Sequence, residues 1–401
     1  MENPVERVKL VAKKTKSKIL FVVMDGVGGV DGGKGTELEC AQRPTLDRLA
    51  SEGMCGMVWV LGPGYIPGSL SGHLALFGYD PFSVSVSRGV VEVLGSGFPV
   101  QPDDLCARAN LCTVDSSGII QDRRAGRIST EEARKRLDAL QQNLSRLDGV
   151  KILYIPGVQH RFSIIFRGAG IKGPVSDTDP GENFTAILPP TPYSPSALYA
   201  AEIIQRFTLE ARKVLQSFST GNAVILRGIG NLSPIPPFGE QTGLKAGGLA
   251  SYPMYLGLCR LLGFATHTLT EGAEAEVMPT AYPMHDFIYL HFKAPDIFGE
   301  DKNFDGKVQA IEAIDATLGK ILARFEFDLV VVTADHSTPA VLGSHSAHPV
   351  PIVFWGKLVG KDFVQHFTEK SCLLGGLGIL RGTDIVPLIL SFAGKARKYG
   401  A

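Results

Sequence analysis

The chain lacks several features that would place it in a special class of protein. Its 401 residues include 6 cysteines, and no two of them form a Cys-x-x-Cys pair. Such scattered cysteines argue against a disulfide framework or a zinc knuckle and indicate reduced thiols. No apolar run approaches the roughly 20 residues that span a bilayer, and residues 1–4 lack the apolar core of a secretion signal. We therefore expect a cytoplasmic protein without a membrane partner.

An excess of charge of either sign is also absent. Lys+Arg and Asp+Glu are 40 each, so the formal net charge is zero. Without a long basic run the chain gives no reason to expect a nucleic-acid partner. The composition, 44% hydrophobic and 20% charged, is that of an ordinary globular protein. The length allows two domains, or one core with a large insertion.

Continuous apolar runs at 19–24, 287–292 and 329–333 predict strands that are buried on both faces, as in a parallel sheet. Helical patterns at 44–53, 250–262 and 304–325 alternate with these strands. This alternation on both sides of a different middle segment predicts an α/β core.

The middle segment mixes short β-like runs with helices, one of which begins at a capping box formed by Ser129 and Glu132. We therefore predict a core at 1–100 and 235–401, interrupted by an inserted α+β domain at 101–234. Proline-rich stretches at 189–195 and 233–242 are the predicted hinges.

Acidic residues follow all three predicted core strands. Asp25, Asp296 and Asp335 stand at or just beyond the strand ends, and His336 and His345 follow the last of them. The carboxyl ends of parallel strands share one edge of a sheet, where ligands bind. Each acid alone is as well explained by a turn or a capped strand end, but the set together indicates a metal site. Carboxylate and imidazole ligands without cysteine suit Mn²⁺, Mg²⁺ or Zn²⁺.

A candidate nucleophile lies between two glycines, in the sequence Gly-Ser69-Leu-Ser71-Gly. Glycine and serine favour turns for backbone reasons alone, so by itself this stretch is better explained as a simple turn. Next to a metal site, however, the hydroxyl of Ser69 is a candidate acceptor of a phosphoryl group.

At these residues the chain resembles the alkaline phosphatase superfamily and, within it, the cofactor-independent phosphoglycerate mutases of the archaeal type. The resemblance covers nearly the whole chain, with the same order of motifs. The matching segments are 23–26, 67–74, 77–81, 122–127, 160–161, 176–180, 226–228, 335–339 and 349–351. It implies an α/β fold, an alkaline-phosphatase-like core with a mostly parallel central sheet flanked by helices and interrupted by an inserted α+β lid domain.

The resemblance also implies two divalent metal ions, with Mn²⁺ favoured and Mg²⁺, Zn²⁺ or Co²⁺ as alternatives, and no 2,3-bisphosphoglycerate. Its metal ligands are Asp25, Ser69, Asp335 and His336 for one ion, and Asp296, Glu300 and His345 for the other. The chain departs from the family pattern at three positions. Glu300 stands where the superfamily commonly has histidine, Leu70 where an acidic residue is frequent, and Leu256 where lysine is expected.

The implied activity interconverts 3-phosphoglycerate and 2-phosphoglycerate, a step of glycolysis and gluconeogenesis, through a phosphoserine at Ser69. Asp177 or Asp179 would be the general base, and the inserted domain would be a lid that keeps water off the phosphoserine. The substrate carries two anionic groups, so basic residues must bind it. The candidates are Arg123, Arg124, Arg127, His160, Arg161, Arg227 and Lys245.

Other functions remain open at this point. A phosphatase, phosphodiesterase or phosphopentomutase of the same superfamily would use the same metal site. A catalytically weak paralogue that only binds a phosphorylated metabolite is a further alternative, which Leu70, Leu256 and Glu300 keep open. The sequence is also compatible with a homo-oligomer.

Overall fold

The computed structural model describes residues 4–270 and 272–400. Residues 1–3, which belong to the start considered above, lie outside this part. The chain forms two compact units, called here unit 1 (Met1–Val84 and Ile235–Ala401) and unit 2 (Ser85–Pro234). The sequence-based boundary was at 101, so the structure begins the inserted unit earlier.

Strands and helices alternate along the described chain. In chain order, the strands are β1 (Ile19–Met24), β2 (Met54–Trp59), β3 (Asp104–Val114), β4 (Ile120–Asp122), β5 (Arg146–Leu147), β6 (Val150–Pro156), β7 (Arg161–Arg167), β8 (Ala223–Asn231), β9 (Ala246–Ala250), β10 (Ala265–Thr268), β11 (Phe287–Phe292), β12 (Leu329–Thr333), β13 (Val350–Gly356) and β14 (Gly378–Arg381).

The helices are α1 (Pro4–Val11), α2 (Glu37–Cys40), α3 (Pro44–Glu52), α4 (Ser69–Leu76), α5 (Arg88–Gly95), α6 (Thr130–Asn143), α7 (Leu198–Leu215), α8 (Phe238–Thr242), α9 (Pro253–Leu261), α10 (Glu274–Ala281), α11 (Ala294–Glu300), α12 (Phe304–Arg324), α13 (Glu369–Cys372) and α14 (Ile385–Phe392). Short 3₁₀ helices lie at Ala125–Arg127, Pro195–Ala197 and Gly382–Asp384. No helix in the described ranges combines the length and the apolar character that crossing a membrane requires.

Unit 1 is built on one eight-stranded sheet in the order β10-β9-β11-β1-β12-β13-β2-β14. The neighbours from β10 to β12 are parallel, β13 is antiparallel to both of its neighbours, and β14 is parallel to β2. Helices cover the sheet, with α9 on β9 and β10, α3 on β13 and α14 on β12. The predicted α/β core with a mostly parallel sheet is therefore confirmed.

The centre of this sheet is β1, which pairs in register with β11 on one side and β12 on the other. Every residue of these three strands is buried. Burial on both faces explains why their sequences are continuous apolar runs rather than alternating ones. The three strands that were predicted from those runs are confirmed residue for residue.

Unit 2 is built on an antiparallel sheet in the order β4-β3-β7-β6-β5. Strand β8 also pairs with β3, along the edge opposite to β7. Alternate residues of β3 face opposite sides. Leu105 packs in the core with the residues of α6 and α7, whereas Cys106 packs with Val90 and Val93 of α5. Because α5 covers one face of this sheet, residues 85–100 belong to unit 2. The predicted hinge at 189–195 also lies inside unit 2, whereas 233–242 spans the second boundary.

Candidate active site

The central strands of unit 1 bring the predicted acids to one edge of the sheet. Asp25 follows β1, Asp335 follows β12 by two residues, and Asp296 lies in the first turn of α11, just beyond β11. The three strands are parallel and adjacent, so their carboxyl ends coincide. The side chains of Asp25 and Asp335 are fully buried, and that of Asp296 is almost so.

Three predicted ligands converge on one atom of a fourth, Nε2 of His336. This nitrogen lies 3.3 Å from Asp25 Oδ1, 3.2 Å from Asp335 Oδ2 and 3.3 Å from Ser69 Oγ. We call Asp25, Ser69, Asp335 and His336 the Asp25 group. Burial lowers the pKa of His336, and the nearby carboxylates oppose this shift.

Ser69 is placed by the start of α4. It is the first residue of that helix, after Gly68, whose extended backbone (φ −88°, ψ 159°) forms the N-cap. The partial positive charge of a helix N-terminus favours negative charge at this hydroxyl. One turn later, His73 Nδ1 donates to the Ser69 carbonyl oxygen at 2.7 Å and ties the turn together. The sequence thus folds locally to present Ser69 toward His336.

A second group consists of Asp296, Glu300 and His345. His345 Nε2 lies 3.5 Å from Asp296 Oδ1 and 3.7 Å from Glu300 Oε1, while its Nδ1 donates to the Pro67 carbonyl oxygen at 2.8 Å. Burial alone would lower the pKa of His345, but Asp296 raises it to about 9. Burial and the charge of Asp296 raise the pKa of Glu300. The structure therefore brings together the three residues that the resemblance assigned to the second ion.

Three further side chains contact Asp25, none of which the sequence assigned to the site. Asp25 Oδ2 accepts from His291 Nε2 at 3.0 Å, from Lys293 Nζ at 3.1 Å and from the hydroxyl of Tyr255. Lys293 Nζ also lies 2.5 Å from Asp296 Oδ2, so it joins the two groups. Burial would raise the pKa of Asp25, yet Lys293, His291 and His336 hold it well below its usual value.

Lys293 places an ammonium at the site, whereas position 256, where the family pattern has lysine, is leucine. Leu256 is buried in α9, whereas the ammonium of Lys293 contacts the acids of both groups. Lys293 stands three residues before Asp296, and that spacing at the start of a short helix was the signal in the sequence.

The donor set of the Asp25 group fits a cation. Within the described residues, Asp25 Oδ1 and Asp335 Oδ2 are buried without a hydrogen-bond donor. His73 Nδ1 lies 3.2 Å from Asp335 Oδ2 but is bonded to the Ser69 carbonyl. Two carboxylate oxygens that lie 3.2–3.3 Å from one imidazole nitrogen suit a divalent metal ion. Asp25, Asp335 and His336, and likewise Asp296, His336 and His345, offer ligand atoms within 4.8 Å of one another.

In unit 2 the predicted acids and arginines are paired with one another. Arg123 donates from Nε and Nη2 to the two carboxylate oxygens of Asp179, each at 2.7 Å, and the side chain of Asp179 is buried. Arg227 Nε lies 3.8 Å from Asp177 and 3.7 Å from Asp179. Burial would raise the pKa of Asp179, but Arg123 lowers it. Asp177 is more exposed and accepts from the Gly228 amide at 2.7 Å.

The other basic residues predicted in unit 2 form fewer contacts with acidic side chains. Arg124, Arg127 and Arg161 are exposed, and their side chains form no ion pair with the described residues. His160 is buried, and burial together with nearby arginines lowers its pKa to about 4, so it is neutral.

Lys245 does not join the site. It directly precedes β9, at the end of the sheet opposite to the acids, and its amide contacts Asp286 just before β11. Lys245 as a substrate-binding residue therefore stays a prediction from the sequence, which showed its place along the chain and not its end of the sheet.

The comparisons with known proteins agree on one family. The model of the family 2,3-bisphosphoglycerate-independent phosphoglycerate mutase matches residues 50–219. A Thermus thermophilus protein named probable 2,3-bisphosphoglycerate-independent phosphoglycerate mutase is 40% identical over 400 residues, 98% of each chain. An Aquifex aeolicus protein of the same name is 38% identical over 404 residues, again 98% of each chain.

Solved structures show the same fold. A Pyrococcus horikoshii protein superposes with a TM-score of 0.83 at 29% identity, covering 97% of this chain and 100% of that one. The cofactor-independent phosphoglycerate mutase of Thermoplasma acidophilum gives 0.68 at 27% identity, covering 94% and 100%. Because named relatives are 38–40% identical over 98% of its length, the chain belongs to the 2,3-bisphosphoglycerate-independent phosphoglycerate mutase family.

Proposed function

We propose that the protein is a phosphoglycerate mutase that interconverts 3-phosphoglycerate and 2-phosphoglycerate through a phosphoserine at Ser69. The observation that carries this proposal is the convergence of Ser69 Oγ, Asp25 Oδ1 and Asp335 Oδ2 on His336 Nε2. Full-length relatives that bear this name support it. In the cell this activity would serve glycolysis and gluconeogenesis in the cytoplasm.

The proposal includes two divalent cations, for which Mn²⁺ is the favoured metal. The Asp25 group would hold one, and Asp296, Glu300 and His345 the other. When bound, such ions supply positive charge that favours the ionised serine and the transferring phosphoryl group. Glu300 offers an oxygen ligand where histidine would offer nitrogen, which favours Mn²⁺ or Mg²⁺ over Zn²⁺ at the second group.

The residues of the chain divide the remaining work. The Ser69 hydroxyl attacks phosphorus, the bond from phosphorus to the 3-oxygen of the substrate breaks, and the freed glycerate reorients. The 2-hydroxyl of the glycerate then loses its proton to a base and takes the phosphoryl group back, which regenerates Ser69. Asp177 suits that role better than Asp179, because both oxygens of Asp179 are engaged by Arg123. Asp179 instead orients Arg123.

Unit 2 is proposed to be the substrate-binding lid. Its exposed arginines at 124, 127 and 161 supply the charges that a carboxylate and a phosphate require, and guanidinium groups bind both in a bidentate manner. Arg123 and Arg227 complete the set, with His160 as a neutral hydrogen-bonding partner. Exclusion of water from the phosphoserine would separate transfer from hydrolysis.

The test is an assay of the Mn²⁺-loaded chain on 3-phosphoglycerate that measures 2-phosphoglycerate and free phosphate together. Formation of 2-phosphoglycerate supports the mutase, free phosphate alone would indicate a phosphatase, and neither product would indicate a metabolite-binding paralogue. Ser69→Ala should reduce the rate by at least about 10⁴-fold. Ser71→Ala removes a hydroxyl that, among the described residues, is bonded only to Gly68; it should keep most of the activity and serves as the matched control.

A further inference from the structure

A buried hydroxyl next to the Asp25 group joins both sets of candidate ligands. Thr338 Oγ1 donates to Asp296 Oδ1 at 2.7 Å and lies 2.9 Å from His336 Nδ1. Thr338 is fully buried, so water does not compete for these contacts. One side chain therefore contacts an acid of the second group and the histidine of the first.

The direction of these two bonds is fixed by counting protons. A threonine hydroxyl has one hydrogen, and the carboxylate of Asp296 can only accept it. At the same oxygen, His336 Nδ1 must then be the donor. An imidazole that binds a cation through Nε2 has its one N–H on Nδ1, which is the atom that faces Thr338. That nitrogen is the atom on which Asp25, Asp335 and Ser69 converge.

The backbone of Thr338 is held as firmly as its hydroxyl. Its amide lies 3.2 Å from the carbonyl oxygens of Gly26 and Gly28, in the loop that follows Asp25. A Cβ at Gly26 would lie 2.7 Å from Thr338 Oγ1, and φ of Gly26 is +65°. Glycine at position 26 therefore both permits the turn and leaves the space that the threonine fills.

A buried lysine joins the same two loops from the other side. Lys307 Nζ, on α12, donates to the Thr338 carbonyl at 2.8 Å and to the Gly28 carbonyl at 3.1 Å. Glu37 lies 3.8 Å from this ammonium and accepts from the Ala340 amide at 2.7 Å. The position of Thr338 is thus set by contacts outside the ligand groups.

We infer that Thr338 is a positioning residue that couples the two cation sites, by keeping Nε2 of His336 free to bind and by orienting Asp296. The inference rests on the proposed two-cation site. Partners that orient ligands in this way commonly change metal affinity by 10–100-fold when they are removed.

The first test measures Mn²⁺ binding by titration calorimetry on the full chain, without substrate. Thr338→Val keeps the shape and removes the hydroxyl, and it should weaken Mn²⁺ binding by about 10–100-fold. Thr338→Ser restores the hydroxyl and should restore the affinity. Thr317→Val is the matched control, because within the described part of the chain its hydroxyl bonds only the Ala313 carbonyl, on the exposed side of α12. Unchanged affinity in Thr338→Val, or a loss that serine does not restore, overturns the inference.

A second test needs no folded variant of Thr338. In ¹⁵N spectra of the wild-type chain saturated with Mg²⁺, which is diamagnetic, the His336 ring, assigned by its absence in His336→Gln, should carry its proton on Nδ1. A proton on Nε2 contradicts the inference. Because neither readout uses substrate, a chain that binds Mn²⁺ but forms no 2-phosphoglycerate contradicts the proposed function and leaves the role of Thr338 standing.

Discussion

Two carboxylates of unit 2, separated by one residue, differ in what they contact. Asp179 is buried and bound at both oxygens by Arg123, whereas Asp177 is partly exposed and accepts a single backbone hydrogen bond. Asp177→Asn should therefore reduce kcat by about 10²–10⁴-fold, the usual contribution of a general base, with little change in KM. Asp179→Asn should chiefly raise KM and lower stability by about 1–3 kcal/mol, since it leaves Arg123 without its partner.

Steady-state kinetics and thermal unfolding of the two variants separate these roles. Asp138→Asn, on the exposed side of α6, is the control and should change neither quantity. If Asp179→Asn instead lost kcat with unchanged KM and stability, the assignment of base and positioning residue would have to be exchanged.

Site residues could be predicted from the sequence where a chemically suitable side chain stands at the end of a predicted strand. The strand-end acids and His336 were predictable because a parallel sheet brings strand ends together. Tyr255 and Lys293 were not, because their reach to Asp25 depends on how α9 and α11 pack. The sequence likewise showed the charge of Lys245 but not that it lies at the start of β9, at the other end of the sheet.

Among the elements, α4 sets the position of the nucleophile, and Gly72 sets how closely α4 approaches the loop after β12. A Cβ at Gly72 would lie 3.1 Å from Asp335 Cβ and closer still to the Asp335 carbonyl oxygen. Gly72→Ala should therefore move α4, at a cost of about 1–3 kcal/mol in stability. Misplacement of a catalytic group by about 1 Å costs on the order of 100-fold, so kcat/KM should fall by about that factor.

The control for this helix is another helical glycine with a flexible neighbour. In α12, the one described atom that a Cβ at Gly319 would meet within 4 Å is the side-chain hydroxyl of Thr45, at 2.9 Å. Gly319→Ala should be neutral or stabilising by up to about 1 kcal/mol, because alanine favours helix. Activity of Gly72→Ala equal to that of Gly319→Ala would show that α4 does not position Ser69 through this contact.

The elements also show where pattern reading fails. Predicted helix 250–262 begins only at Pro253, because residues up to Ala250 complete β9. Glycine-rich β9 carries little β-branched signal. The antiparallel direction of β13 and the packing of α5 on unit 2 depend on long-range contacts that no local pattern encodes.

On the scale of the whole molecule, the two units have separate cores, and the candidate cation ligands all lie in unit 1. A ligand that binds only the folded state stabilises it by about 2.7 kcal/mol at 100 times Kd. The added stability should therefore appear in the unfolding of unit 1 and be small for unit 2. For a unit of this size it corresponds to roughly 5–10 °C in Tm.

The chain offers a natural reporter for this difference. Its 2 tryptophans, Trp59 and Trp355, lie in β2 and β13 of unit 1, so tryptophan fluorescence follows unit 1 while far-ultraviolet circular dichroism follows both units. Chelation of Mn²⁺ should lower the fluorescence midpoint and split the circular dichroism transition, since unit 2 keeps its own stability. The shift should disappear in Asp25→Asn, which removes a ligand charge, and persist in Asp138→Asn. A chelator effect of equal size in both signals would show that the units unfold as one cooperative body, because loss of the cations would then destabilise unit 2 as much as the unit that binds them.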